Sequence, residues 1–385
     1  MKFTSFDPES FLRDYWQKKP LLIRNPWASW NNPLEPDELA GLACEAAVES
    51  RLITQGRGGL RLEHGPLPDT RFAELGTHPW TLLVQAVDHQ VPDVAALMEP
   101  FRFIPNWRVD DVMVSYATDR GGVGPHFDRY DVFLLQGLGR RRWQIGARCN
   151  DATALLPHDD LRLLANFEAT DEWVLEPGDI LYVPPRVSHN GVAVGDDCMT
   201  YSIGFRAPSR EELIADWYEH LLAEAREDQF YEDPDLGLQP NPGEIAPEAL
   251  ARLRAMIAGA LLDGHAFARW FGIQNSAPKN PNVDWRPDRT IGTDDLRACL
   301  AGDLALSRNP ASRFSFVRRD AASILLFVDG QVFDCAGDTV ALAERICAED
   351  RVERPSSLIG SAQSEALVLD LLNRGSVAFV QNDRD

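Results

Sequence analysis

Two histidines and an aspartate carry the chemistry this sequence offers. In "GGVGPHFDRYDVFLLQG", His126 and Asp128 stand two apart, and in "EPGDILYVPPRVSHNGVAV", His189 follows a turn and a short apolar run. With 8 histidines and 59 acidic residues among 385, about one His-x-Asp/Glu arises by accident. A second one is indeed present at His158-Asp159-Asp160. Context separates them. "LLPHDDLRLL" sets a proline before the histidine and helically spaced apolar residues after it, which predicts an aspartate capping a solvated helix. "HFDRYDVFLL" is aromatic and β-branched, follows a glycine-rich turn, and predicts a strand. Residues two apart on a strand share a face, so His126, Asp128 and Tyr130 are expected to point one way. An imidazole and a carboxylate on one face are two members of a facial triad, the ligand set that leaves positions on Fe(II) open for a cosubstrate and dioxygen.

The third member must come from elsewhere in the chain. Glu176-Pro177-Gly178-Asp179 predicts a turn, Ile180 to Val183 a strand, Pro184-Pro185 a break, and Val187 to Val194 another strand. A strand-borne His-x-Asp joined tens of residues later by His189 fits a double-stranded β-helix, the cupin-like jelly roll. Taken alone, a histidine near a turn is ordinarily a satisfied polar residue. Gln136 to Gly139 reads as a hairpin loop, after which Arg140-Arg141-Arg142-Trp143-Gln144-Ile145 alternates as a strand. If Trp143 and Ile145 face the interior, so does Arg141, and a buried guanidinium needs an anion. The distal carboxylate of 2-oxoglutarate, whose other end chelates iron, would supply it. The plainer alternative is that the three arginines form a solvated basic turn.

These residues, with the opening "SFDPESFLRDYWQKKPLLIRN", resemble the JmjC branch of the Fe(II)/2-oxoglutarate oxygenases. The stretches "DELAGLA", "TLLVQAVDH", "GGVGPHFDRYDVFLLQG", "GRRRW", "EPGDILYVPP" and "YSIGFRAP" are similar, in that order, to the bacterial ribosomal oxygenases, through about Pro208 and more loosely beyond. The resemblance implies metal ligation by His126, Asp128 and His189 and cosubstrate binding by Arg141. It also implies a basic large-subunit ribosomal protein, the sixteenth, as substrate, hydroxylated on an arginine. Asp119, Tyr116 and Tyr130 are the candidates for holding that arginine, although a turn aspartate such as Asp119 is more ordinarily solvated. The neighbours of His189 in "RVSHNG" depart from the family pattern, beside the ligand and not at it.

The elements that must position these residues divide the chain. Asp7-Pro8 predicts a helix start, a mixed helical segment follows, and the barrel strands are expected over roughly 100 to 206. The α+β expectation is a JmjC oxygenase domain over 1–208, a helical dimerisation segment over 209–274 and a winged-helix-type domain over 290–385. Ser209 and Glu212 form a capping box for a helix over 209–226. A second helix over 247–271 carries Leu250, Leu253, Ile257, Leu261 and Leu262 on one stripe. Two such helices predict a homodimer, a lid on their own barrel being the alternative. Residues 275–289 read as a Pro/Asn-rich linker. The last unit is expected to turn at Asp329-Gly330 and to end in the strand "SVAFVQ".

Composition sets limits. The net charge of −21 argues against a phosphate-binding surface and for a basic partner. The final unit carries 15 acidic against 10 basic residues, which favours protein contact over DNA. Six scattered cysteines without a C-x-x-C pair predict neither a disulfide framework nor a zinc site. Lacking a signal-like start and any apolar run near eighteen residues, the chain is expected to be cytoplasmic and free of membrane. Two function classes stay open: a hydroxylase using Fe(II), 2-oxoglutarate and dioxygen, or a cupin-type metal-binding isomerase or sensor that would not need Arg141.

Overall fold

The computed structural model describes residues 2–381 apart from 57–58, 77, 159, 226–229, 239, 242 and 303. The oxygenase-like part comprises α1 (Pro8–Asp14), β1 (Leu21–Ile23), α2 (Pro36–Ala43), β2 (Ser50–Gly56), β3 (Gly59–His64), α3 (Asp69–Ala73), β4 (Trp80–Val84), α4 (Pro92–Ala95) and β5 (Val109–Ala117). It continues through β6 (Asp131–Leu138), β7 (Arg141–Arg148), β8 (Ala169–Leu175), β9 (Ile180–Val183), β10 (Val187–Ala193) and β11 (Cys198–Phe205). Two sheets face each other: a large one ordered β1-β9-β6-β11-β5-β4-β2-β3 and a small one ordered β10-β7-β8. The cupin-like jelly roll is as expected, but the sheet recruits more chain. β1 pairs with β9, and β2 to β4 extend the other side, so the segment before residue 100 is as much strand as helix.

Alternation assigns each sheet two faces. Val132, Leu134, Leu181 and Val183 of the large sheet meet Trp143, Ile145, Leu175 and Val187 of the small sheet inside the barrel. The alternate residues, among them Val112, Val114, Phe133, Tyr182 and Tyr201, pack outward under Phe11, Leu39, Val87 and Phe101 of the N-terminal segment. At roughly 25 cal/mol per Å² of apolar surface, this two-sided burial holds the strands in one register. A slip of one residue would turn the inward set out.

Several expectations are corrected here. Gln136 is not in a hairpin loop: β6 runs through Leu138, Gln136 is fully buried, and the chain then crosses from the large sheet to the small one. Among the described residues around His158 there is no helix; its Nδ1 accepts from the Asp160 and Leu161 amides at 3.1 and 3.0 Å, so the histidine itself caps the turn. Asp159, the cap expected there, lies outside the described residues.

After the barrel come α5 (Arg210–Glu224), α6 (Pro247–Leu261) and α7 (Gly264–Ser276). The Ser209/Glu212 capping box of α5 is present at 3.0 and 3.1 Å. The single helix expected over 247–271 is two. Asp263 accepts from the amides of His265 and Ala266 at 2.9 and 3.0 Å, and capping a new helix competes with continuing the old one. The 275–289 segment is docked: Lys279 Nζ lies 3.1 Å from Asp110 and 2.9 Å from Asp111.

The final unit holds α8 (Thr293–Ala301), β12 (Leu304–Arg308), β13 (Phe314–Asp320), β14 (Ser323–Val328), β15 (Gln331–Ala336), α9 (Asp338–Ala348), β16 (Arg351–Val352), α10 (Ala362–Asn373) and β17 (Val377–Gln381). β14 and β15 meet at Asp329-Gly330 as expected, and β13 adds a third strand to that sheet. The unit has its own core around Leu296, Leu326, Leu342, Val368 and Leu371. No described helix is long and apolar enough to cross a membrane.

Candidate active site

His126 and Asp128 are not on a strand. β6 begins only at Asp131, and the segment before it touches β10 through isolated bridges at Gly122–Val192 and His126–His189. Four steps on one side oppose three on the other, which is a bulge, and bulges re-aim side chains. Gly124, at φ +95°, supplies the backbone angle that other residues resist, and Pro125 has no N–H to continue a ladder. The reason given by strand periodicity was therefore wrong, yet the side chains converge.

Convergence comes from the bridge itself. The amide of His126 donates to the carbonyl of His189 at 3.0 Å, the His126 carbonyl accepts from the His189 amide at 2.9 Å, and the Arg186 amide donates to the Asp128 carbonyl at 2.6 Å. The two imidazole centroids are 4.4 Å apart, and Asp128 Oδ2 lies 3.5 Å from His189 Nε2. One ligand atom from each of the three residues lies within 4.8 Å of the others. His126 Nδ1 sits 2.8 Å from the Gly124 carbonyl and His189 Nδ1 3.0 Å from that of Val187. Donating those protons leaves both Nε2 lone pairs bare for a metal. Burial, and then the neighbouring His126, hold the His189 pKa below the ordinary histidine range, so its imidazole is neutral at neutral pH. Two imidazoles and one carboxylate with the remaining side open fit a divalent iron-type ion.

The small sheet supplies the other half of the site. Arg141, Trp143 and Ile145 point inward while Arg142 is exposed, as alternation predicts. Arg141 is 3% exposed, and its Nε and Nη2 have no hydrogen-bond partner. Those two nitrogens form one edge of the guanidinium, the edge with parallel N–H bonds that grips a carboxylate with both oxygens. Arg141 pairs with Ala193 on β10, four residues from His189, or about 13 Å along the strand. An extended dicarboxylate together with the reach of an arginine side chain fits that span.

Residues 96–213 match the family described as JmjC domain. A curated relative, the ribosomal protein uL16 3-hydroxylase of Escherichia coli, is 43% identical over 372 residues, covering 95% of either chain. The chain belongs to the JmjC-type ribosomal oxygenases. A probable ribosomal oxygenase of Haemophilus influenzae is 37% identical across 77% of this chain and 75% of its own. The X-ray structure of E. coli YcfD superposes with a TM-score of 0.88 at 34% identity, covering 99% of this chain and all of that one. A second YcfD structure, in complex with cobalt and 2-oxoglutarate, reaches 0.84 at 34% identity, covering 98% and 99%.

Within this ribosomal oxygenase the remaining expected residues are not all brought together. Tyr130 is half-exposed beside the triad; desolvation of its ring and then the Asp128 carboxylate push its pKa up, which keeps the phenol protonated. Tyr116 lies on the outward face of β5, packed on Trp80 and donating to Asp197 at 2.6 Å. It is thus separated from the triad by the sheet. Asp119 accepts from the Gly195 amide at 2.8 Å, at the Ala193 end of β10 and away from His189. Sequence reading missed the polar lining opposite Arg141: Ser115, Gln136 and Thr200 are buried on the inward face of the large sheet, with Thr200 donating to Gln136 at 3.1 Å. The even spacing of Val132, Leu134 and Gln136 was the available signal.

Proposed function

We propose that this chain is an Fe(II)- and 2-oxoglutarate-dependent oxygenase that hydroxylates an arginyl residue of ribosomal protein uL16. His126, Asp128 and His189 would hold the iron, which with 2-oxoglutarate and dioxygen would supply an oxidant able to insert oxygen into an unactivated C–H, 2-oxoglutarate leaving as succinate and carbon dioxide. Everything else falls to the protein. With one carboxylate as the sole anionic ligand, a divalent ion there would keep a net positive charge, which favours an anionic chelating ligand. Arg141 would receive the far carboxylate on its unpartnered edge. Tyr130 stands at the rim near the Asp128 carboxylate.

The observation carrying this reading is the unpartnered edge of Arg141 in the same barrel as the triad. An unpaired buried donor costs about 1–3 kcal/mol, which a cupin isomerase or metal sensor would have no reason to bear. The substrate side rests on charge and kinship. A net charge of −21 draws a basic ribosomal loop toward the barrel, and the E. coli relative is named for uL16. Asp119 would meet the basic substrate chain as it approaches the Ala193 end of β10, not the guanidinium of the hydroxylated arginine, because that end lies about 13 Å along the strand from His189. That substrate sets the place of action in the cytoplasm, where ribosomal proteins are assembled.

We further infer a homodimer through α5 and α6, whose Ile214, Leu222, Leu250, Leu253 and Ile257 are exposed. Residues 1–208 then form the oxygenase domain, 209–274 the dimerisation segment and 290–385 the acidic protein-contact domain. Incubating the purified chain with iron, 2-oxoglutarate and recombinant uL16 tests the proposal. The expected result is one added oxygen on an arginine-containing peptide, succinate in equal amount, and turnover that falls as salt rises. Oxygen added to free metabolites while uL16 stays untouched would defeat the substrate assignment, and absence of succinate would defeat the oxygenase reading.

A further inference from the structure

Between the triad and Arg141 stands Trp143. Its ring centroid is 5.8 Å from that of His189, and the Cζ of Arg141 lies 5.8 Å from the same ring. The side chain is 6% exposed, and its indole Nε1 is buried without an acceptor. Gly191 faces it across the ladder, where a Cβ would come within 2.6 Å of the ring's Cζ3 and Cη2. That close approach seats the six-membered ring's edge against β10 and turns the N–H edge away from that strand. Around it, Val132, Leu134, Ile145 and Leu181 are apolar, and the flanking backbone is committed to ladders with β10 and β8.

Three N–H donors on one inward strand face therefore lack an acceptor: Nε and Nη2 of Arg141 and Nε1 of Trp143. Buried donors are almost always paired. A carboxylate has about four lone-pair sites on two oxygens, enough for the guanidinium edge and one more donor. A lone water, with two lone pairs, could not satisfy all three, and the guanidinium charge favours an anion.

We propose that the Trp143 indole N–H donates a third hydrogen bond to the distal carboxylate of the 2-oxo acid, beside the Arg141 guanidinium. The assignment rests on the function proposed above and adds a positioning residue to it. Because the indole is rigid and braced on Gly191, it fixes where the carboxylate ends, so dicarboxylic 2-oxo acids are selected over monocarboxylic ones.

The test is calorimetric titration of the full-length, manganese(II)-loaded protein with 2-oxoglutarate and with 2-oxobutyrate, which keeps the chelating end and lacks the distal carboxylate. Trp143→Phe is expected to weaken 2-oxoglutarate by at least about tenfold, with manganese and 2-oxobutyrate affinities unchanged. Benzothienylalanine incorporated at position 143 keeps the shape, replaces N–H by sulfur, and is expected to reproduce the loss if Trp143→Phe packs poorly. Wild-type affinity for 2-oxoglutarate in the benzothienylalanine protein would overturn the assignment. So would an equal loss for both acids, which puts Trp143 at the chelating end. If the wild-type protein binds manganese but not 2-oxoglutarate, the proposed function itself falls; if Arg141→Met loses 2-oxoglutarate while both position-143 changes retain it, only the Trp143 inference does.

Discussion

Replacing Arg141 by methionine separates a residue that holds a ligand from one that holds the fold. Within the protein Nε and Nη2 of Arg141 have no hydrogen-bond partner, so the change breaks no hydrogen bond from those atoms and removes a charge from an interior where it is 3% exposed. Methionine fills a comparable, adaptable volume, and unpaired buried charge is destabilising. The melting temperature without cosubstrate is therefore expected to stay level or rise. Binding should behave oppositely. Two charge-assisted hydrogen bonds at the low end of their range, about 1.5 kcal/mol each, amount to about 3 kcal/mol, or about two orders of magnitude in Kd. At a 2-oxoglutarate concentration of about one hundred times the wild-type Kd, the wild type gains about 2.7 kcal/mol of stability and the variant about 0.4. Thermal unfolding of the manganese-loaded proteins with and without 2-oxoglutarate reads both quantities. A variant that melts several degrees lower without ligand, or that shows the full ligand-induced shift, would refute the reasoning.

His126→Ala and His189→Ala are each expected to abolish Fe(II) binding and turnover while His158→Ala retains both; equal iron content in the three proteins would remove the triad assignment. Burial, and then Asp111, push Asp88 up to about 8, so the folded protein keeps a proton that the unfolded chain releases near pH 4 (about 3.9), and this contribution is lost as pH rises toward 8. Asp88→Asn keeps the oxygen that accepts from the Val112 amide at 2.8 Å and should stabilise by roughly 2 kcal/mol at pH 8.5 but little near pH 4; a gain independent of pH in denaturant titrations would contradict this. The exposed stripe of α5 and α6 predicts twice the monomer mass by light scattering at micromolar concentration and a monomer for Ile257→Glu, so a monomeric wild type would dispose of the dimer.

Local physics made part of this protein legible from its residues alone. The inward phase of Arg141 follows from period two, because successive side chains leave a strand on opposite faces whatever lies around it. The Glu176–Asp179 turn, the short strand after it and the capping box at Ser209 are likewise set by bonds within a few residues. The residue types of the candidate triad were legible too, since only a few kinds of side chain bind iron. What only the tertiary structure decided involves partners far apart in sequence. The bulge that aims His126 exists because its backbone pairs with His189, 63 residues on, and not because 126–130 is a strand. Tyr116 is turned from the site because β5 shows its even positions to the N-terminal helices. Gln136 is buried because Thr200, on the neighbouring strand β11, meets it. The free N–H of Trp143 depends on Gly191 and on the apolar residues of both sheets. Register across a sheet is chosen by the total burial of many residues, and no short stretch of sequence contains that sum.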